Sequence, residues 1–201
     1  MIERMPLPTS GHPHFIGCWT LSDKSICERI IALFESLPAQ QRSGKVGDGE
    51  VDVAIKRSTD INITPGDLAA DSHAPLHEYM DALLACYQDY LTEWPFLAGC
   101  MDRLHIGPFN IQRYNQGGHF SSVHSERTSL GHLHRVFAWM TYLNDVPDSG
   151  ETEFVHYNLK VSPEIGKTLI WPAEWTHAHR GLPVTSGHKY IVTGWLHFPD
   201  D

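Results

Sequence analysis

RVFAWMTYL, residues 135–143, is a short apolar and aromatic run closed by Asn144 and Asp145, and it reads as a β-strand. Runs of the same kind lie at residues 106–114, 167–171 and 189–198, separated by segments rich in Gly, Pro, Asn and Asp. Repeated short strands with turn residues between them are the mark of an antiparallel β domain. We therefore expect residues 104–198 to be mostly β. With about eight strands, a double-stranded β-helix (jelly roll) is the natural closure, because it buries two apolar faces against each other.

Upstream of that core the pattern changes. Residues 1–20, with three prolines and two glycines, read as an extended arm. Ser22 then offers a cap for a helix starting near Asp23 and ending at Pro38, with Ile26, Ile30, Leu33, Phe34 and Leu37 on one stripe. A loop follows, and VDVAIK, residues 51–56, alternates like a short strand. A second helix opens at Pro75 and stops before Pro95, with Leu76, Met80, Leu83, Leu84, Tyr87 and Leu91 as its buried side. Both helices are expected on one face of the sheet. This predicts one domain over residues 1–201, with N-terminal helical support at about 1–103 and the jelly-roll core at about 104–198.

Composition removes several functions. The chain carries 24 Asp and Glu against 15 Lys and Arg, a formal charge of -9, and its cations are scattered, so no nucleic-acid partner is expected. No apolar run is long enough for a membrane helix, and no secretory leader is read in residues 1–10. Four cysteines without a CxxC pair point to reduced thiols and a cytoplasmic setting. Oligomeric state is not legible. Most of the 14 histidines lie after position 100, which directs attention to the β region.

Strand residues two apart share a face, so in VHSE the side chains of His124 and Glu126 project together. WTHAHRG supplies His177 and His179 much later in the chain, again two apart. Two imidazoles and one carboxylate on one face of an octahedral ion leave three adjacent positions open, which suits iron(II) oxygenases. An HxE pair alone is a weak signal, and its weight comes from context.

That context resembles the 2-oxoglutarate- and iron(II)-dependent dioxygenases, in their prolyl-4-hydroxylase-like branch. RYNQGGHFSSVHSE is similar to the branch's strand with a tyrosine and glycine leading into a His-x-carboxylate pair. YLNDVPDSGETEF resembles its Leu-Asn strand and Gly-Gly-Glu-Thr-x-Phe turn, with Ser149 in place of the first glycine. HRGLPVTSGHKY resembles the distal-histidine segment, in which a lysine ten residues after the histidine binds the far carboxylate of 2-oxoglutarate. Counting back from Lys189 selects His179 as the third ligand and leaves His177 beside the site. Glu126 departs from the branch's usual aspartate, yet remains a hard anionic donor suited to iron(II).

The resemblance implies His124, Glu126 and His179 as metal ligands and catalytic residues, and Lys189 with Tyr114 as co-substrate contacts. Alternation along residues 189–195 places Thr193 on the face of Lys189, as a hydroxyl donor toward the same carboxylate. Trp195 coincides with a tryptophan common in the branch, Arg180 is a weak candidate for substrate contact, and Lys56 or Asp60 could reach the substrate. His119, His132, His134 and His156 lie near the region and read better as polar surface than as pocket mouth. The cofactors implied are Fe(II), 2-oxoglutarate and O2, and the reaction is hydroxylation with release of succinate and CO2. A peptidyl proline, a free amino acid, a nucleobase or a small metabolite would all fit such a triad, with selectivity set by loops at residues 44–50 and 126–132. Two rivals are a cupin-like metal enzyme that uses no keto acid and a non-catalytic jelly-roll module that binds a small ligand.

Overall fold

The structure is a computed structural model and describes residues 2–7, 13–47, 49–70, 73–101 and 103–199; Asp48 of the 44–50 loop and part of the 1–20 arm lie outside these. It is mostly β. The strands are β1 Ile2–Arg4, β2 Gly17–Leu21, β3 Arg42–Ser43, β4 Lys56–Arg57, β5 Thr59–Ile63, β6 His105–Ile106, β7 Phe109–Asn115, β8 His119–His124, β9 Arg135–Tyr142, β10 Thr152–Phe154, β11 Leu159–Val161, β12 Lys167–Pro172, β13 His179–Gly181 and β14 His188–His197. The helices are α1 Ser25–Ser36, α2 Ala74–Glu93 and the short α3 Pro95–Ala98. Among the described residues the strands form two antiparallel sheets. The larger runs β1-β2-β12-β9-β14-β7-β5-β3, with β6 on the end of β14, and the smaller runs β11-β10-β13-β8-β4.

Alternation along the central strands builds two cores. On β9, Phe137 and Trp139 join α1 and α2 in an outer cluster with Ile30, Phe34, Leu83 and Tyr90. Ala138, Met140 and Tyr142 point the other way, into the space between the sheets with Phe154, Leu169 and Trp171. Burial on both faces is why residues 136–143 read as a nearly continuous apolar run, interrupted only by Thr141. Trp139 is wedged between the rings of Tyr79 and Phe109, at 6.0 and 5.7 Å, and truncating such a side chain costs about 3–5 kcal/mol. Gly194 makes room for it, since a Cβ there would lie 2.6 Å from Trp139 Cζ2. The outer core also contains polar groups with partners: the Tyr79 hydroxyl and Thr141 Oγ1 lie 2.8 Å apart, and Thr141 and Thr168 share a second bond at 2.7 Å.

Several sequence expectations need correction. The segment before residue 104 is more than helical support, because β1, β2, β3 and β5 extend both edges of the larger sheet. Ser22 does not cap α1; Asp23 Oδ1 accepts from the Ser25 amide at 2.9 Å and the Ser25 hydroxyl at 2.6 Å. The buried face of α2 is rotated toward Leu76, Tyr79, Leu83, Cys86, Tyr87 and Tyr90, leaving Leu84 51% exposed. Most of VDVAIK is a turn held by Asp52, whose carbonyl accepts from Ile55 and Lys56 and whose carboxylate accepts from Ala54. Val51 and Val53 are consequently exposed, and pairing begins only at Lys56.

Candidate active site

His124 and His179 come from neighbouring strands of the smaller sheet, where they sit directly opposite one another in register. Their ring centroids are 4.5 Å apart. His124 Nδ1 lies 2.9 Å from the Ser122 carbonyl, and His179 Nδ1 lies 2.9 Å from the His177 carbonyl. Each carbonyl can only accept, so both rings carry the proton on Nδ1 and keep the Nε2 lone pair for a ligand. Glu126 lies two residues beyond His124 and brings Oε1 to 3.4 Å from His179 Nε2. One donor atom from each of the three lies within 4.8 Å of the others, which fits a single ion.

The surroundings orient and dry this cluster. Phe120 stacks on His124 at 3.8 Å and 13°, and Trp171 and Phe154 flank His179. Burial, then the neighbouring His124, push the His179 pKa down to about 4, so the ring is neutral and able to donate at ordinary pH. Trp195 Nε1 donates to Glu126 Oε2 at 2.7 Å, fixing the carboxylate rotamer. The Arg135 guanidinium lies 3.7 Å from the Trp195 ring centroid and donates to the Glu126 carbonyl at 3.2 Å.

The three donors open into a cavity of about 890 Å³ between the sheets. Lys189, Ile191, Thr193 and Trp195 all line it, as alternation along β14 requires. Lys189 is buried and donates to the Gly150 carbonyl at 2.7 Å, with Nζ 4.7 Å from the Tyr114 ring centroid. Burial lowers its pKa to about 8, partly offset by Glu151. The Tyr114 hydroxyl donates to Gln112 Oε1 at 2.7 Å. Gln112 in turn donates to Asp60 Oδ2 at 3.2 Å, which also accepts from Lys56 at 2.7 Å.

Other expected residues sit elsewhere. Thr193 lines the cavity but donates its hydroxyl to the Trp139 carbonyl at 2.8 Å. It also lies four strand residues from Lys189, about 13 Å along the backbone. His177 occupies a 3-10 turn, not a strand, and its ring packs on Tyr157 and the His14 carbonyl; only its own carbonyl serves the site. Arg180 pairs with Glu153 at 2.6 Å on the neighbouring strand. His132 does line the cavity, while His134 packs on His197 and His156 on Trp175. Phe120, Gln112 and Arg135 were not anticipated from sequence. A signal for Gln112 existed: Asn110, Gln112 and Tyr114 form a polar series two apart, opposite the face of Phe109 and Ile111.

Residues 109–197 match the 2OG-Fe(II) oxygenase superfamily. Probable prolyl 4-hydroxylase 9 of Arabidopsis thaliana is 30% identical over 129 residues, which is 51% of this chain and 45% of that protein. Among solved structures, a Pseudomonas putida prolyl-4-hydroxylase superposes with a TM-score of 0.68 at 17% identity, covering 92% of this chain and 94% of that one. A Trichoplax adhaerens prolyl hydroxylase, solved with a hypoxia inducible factor peptide fragment, gives 0.70 at 13% identity over 92% and 84%. At those identities the structures speak for the fold alone. Residues 109–197, a little under half of the chain, are therefore similar to the 2OG-Fe(II) oxygenase superfamily. The Arabidopsis relative is a probable prolyl 4-hydroxylase, and the fold is the one seen in solved prolyl hydroxylases.

Proposed function

We propose that this chain hydroxylates peptidyl proline, with His124, Glu126 and His179 holding iron(II) and Lys189 pairing with the far carboxylate of 2-oxoglutarate. The observation that carries the site assignment is the presence in one cavity of the three-donor cluster and a buried ammonium. A cupin-like enzyme without a keto acid would leave that ammonium buried without an anion, an arrangement that costs several kcal/mol. The choice of proline rests on the Arabidopsis relative's name and on the peptide bound by the Trichoplax protein. The chain spans 45% of the Arabidopsis protein's length.

Iron(II), once bound with 2-oxoglutarate and dioxygen, supplies an oxidant that places one oxygen atom in a C–H bond and the other in succinate, with loss of CO2. The chain's own residues orient and shield. The Ser122 and His177 carbonyls fix the imidazole tautomers, Trp195 holds the carboxylate, and Phe120, Phe154 and Trp171 keep water away from the donors. Lys189 meets the keto acid as a point charge in a low-dielectric wall, with the Tyr114 ring beneath it. A cytoplasmic location belongs to the same proposal, supported by four free cysteines.

Anaerobic addition of iron(II) and 2-oxoglutarate should produce a weak visible charge-transfer band. Admission of air with a proline-containing peptide should then yield succinate and hydroxyproline in equal amounts. Absence of the band in folded protein would overturn the metal and co-substrate assignment. A band with no hydroxyproline would overturn only the substrate.

A further inference from the structure

The superfamily match begins at residue 109, yet one wall of the cavity comes from residues 40–47 and 55–62. This segment crosses between the sheets. β5 pairs with β7 of the larger sheet, β4 pairs with β8 of the smaller, and only Ser58 separates β4 from β5. The Lys56–Asp60 ion pair, 2.7 Å long and buried, therefore ties the two sheets together at the cavity edge. Ser58 and Gln112 also donate to the Asp60 carboxylate, at 2.7 and 3.2 Å. The backbone at Gly44 lies on this staple, since a Cβ there would sit 2.1 Å from Ser58 Oγ. The wall is braced, and it carries Arg42 and Lys45 to the cavity lining.

The charges in the lining do not balance. Glu126 belongs to the metal cluster, and Asp60 is taken by Lys56. Arg42 donates only to the Ala39 and Gln41 carbonyls, and among the described residues no carboxylate forms an ion pair with Arg42 or Lys45. With Lys189 reserved for 2-oxoglutarate, and Arg135 stacked on Trp195 and bonded to the Glu126 carbonyl, two further cations face the remaining space beside the amides of Gln40, Asn62 and Asn110. That is a local reversal of sign on a chain whose formal charge is -9.

Resting on the metal and co-substrate assignment proposed above, we infer that residues 40–47 and 55–62 form a specificity wall and that Arg42 and Lys45 select a substrate bearing a carboxylate near the carbon to be oxidised. Such a carboxylate has two sources: an acidic residue flanking a peptidyl proline, or the carboxylate of a free amino acid. Exposed cations at a cavity lip act through long-range attraction and orientation, so the selectivity is sensitive to salt.

The test uses the full chain loaded with zinc(II) and N-oxalylglycine, a 2-oxoglutarate isostere that is not turned over. Four probes are titrated by calorimetry at low salt: Ac-Glu-Pro-Glu-NH2 against Ac-Gln-Pro-Gln-NH2, and L-proline against L-prolinamide. The carboxylate-bearing member of one pair should bind roughly fivefold or more tightly, and Arg42→Glu with Lys45→Glu should abolish or invert that preference. Lys160→Glu, on the far edge strand β11, makes a charge change away from the cavity and should leave the preference standing. Preference in the peptide pair alone identifies an acidic peptide; preference in the second pair alone identifies a free amino acid. Equal binding within both pairs, a preference unmoved by the Arg42 and Lys45 reversals, or no binding of any probe overturns the inference. Failure of zinc and N-oxalylglycine to load is a different result, and it overturns the functional proposal beneath.

Discussion

The indole of Trp195 donates to Glu126 Oε2 at 2.7 Å while Glu126 Oε1 faces His179 Nε2 at 3.4 Å, so one carboxylate oxygen is anchored and the other is left for the metal. Glutamate has one more rotatable bond than aspartate, and the indole removes that freedom. Trp195→Phe keeps the packing and deletes the donor. Iron(II) affinity should fall roughly tenfold, the lower end of what outer-shell partners contribute. Unchanged affinity in an anaerobic competition titration would show that the indole does not position the ligand.

Metal should stabilise the fold through the three donors. At a free manganese(II) concentration about 100 times the dissociation constant, the gain is about 2.7 kcal/mol, or about 5–10 °C in Tm for a chain of this size. His179→Ala should abolish the shift, and a chelator should reverse it in the native chain. A shift of the same size in the variant, followed by differential scanning fluorimetry, would place the ion elsewhere.

Lys189 should lower the stability of the ligand-free protein. Its pKa falls from 10.5 to about 8 because burial disfavours the charged form. A lysine depressed in this way destabilises the fold below about pH 8, and stability recovers as pH rises from there toward 10.5, where the unfolded chain holds the extra proton. Lys189→Met should therefore raise stability at neutral pH by about 1–3 kcal/mol, net of the bond lost at the Gly150 carbonyl, while 2-oxoglutarate binding is lost and metal binding is retained. Chemical denaturation of the apo variant at pH 7, compared with about pH 10, checks both the sign and its disappearance.

The same residue makes 2-oxoglutarate binding proton-linked. Above about pH 8 the free site holds a neutral amine, and an incoming dianion restores the charge. Calorimetry in buffers of different ionisation enthalpy should find about one proton taken up per ligand near pH 9 and close to none near pH 7. Equal uptake at both values would remove Lys189 from the carboxylate contact.

Breaking the inter-sheet staple should cost more than removing it. Asp60→Ala leaves the Lys56 ammonium buried and unpaired, and should destabilise the fold by about 3–5 kcal/mol. Lys56→Met combined with Asp60→Leu should lose clearly less, because no charge is then stranded. A double variant as unstable as Asp60→Ala in urea denaturation would mean that shape, not charge, dominates at this edge.

Where sequence reading succeeded, a local period carried the information. Residues 135–143 and 189–198 form β9 and β14 to within a residue, because a strand's apolar run is interrupted only at its turns. Where it failed, a local competitor won. VDVAIK has strand alternation, but Asp52 captures the amide of Ala54 and closes a turn before pairing can start. His177 and His179 are two apart, yet the first lies in a 3-10 turn, so the two-residue rule does not place them together. Thr193 shares the cavity face of Lys189 as alternation predicts, while its hydroxyl proton goes to the Trp139 carbonyl, a partner on the adjacent strand that alternation cannot reveal.

Residue order alone determined the chemistry available: a His-x-Glu pair, a distant histidine, and a lysine ten residues beyond it, in a chain patterned as short strands. Tertiary structure decided which groups meet. The β8–β13 register puts His124 opposite His179, and the crossing of residues 56–60 between sheets puts Lys56 and Asp60 at the cavity edge. Those contacts join residues far apart in the chain, and their geometry comes from how two twisted sheets close on each other, which no local period encodes.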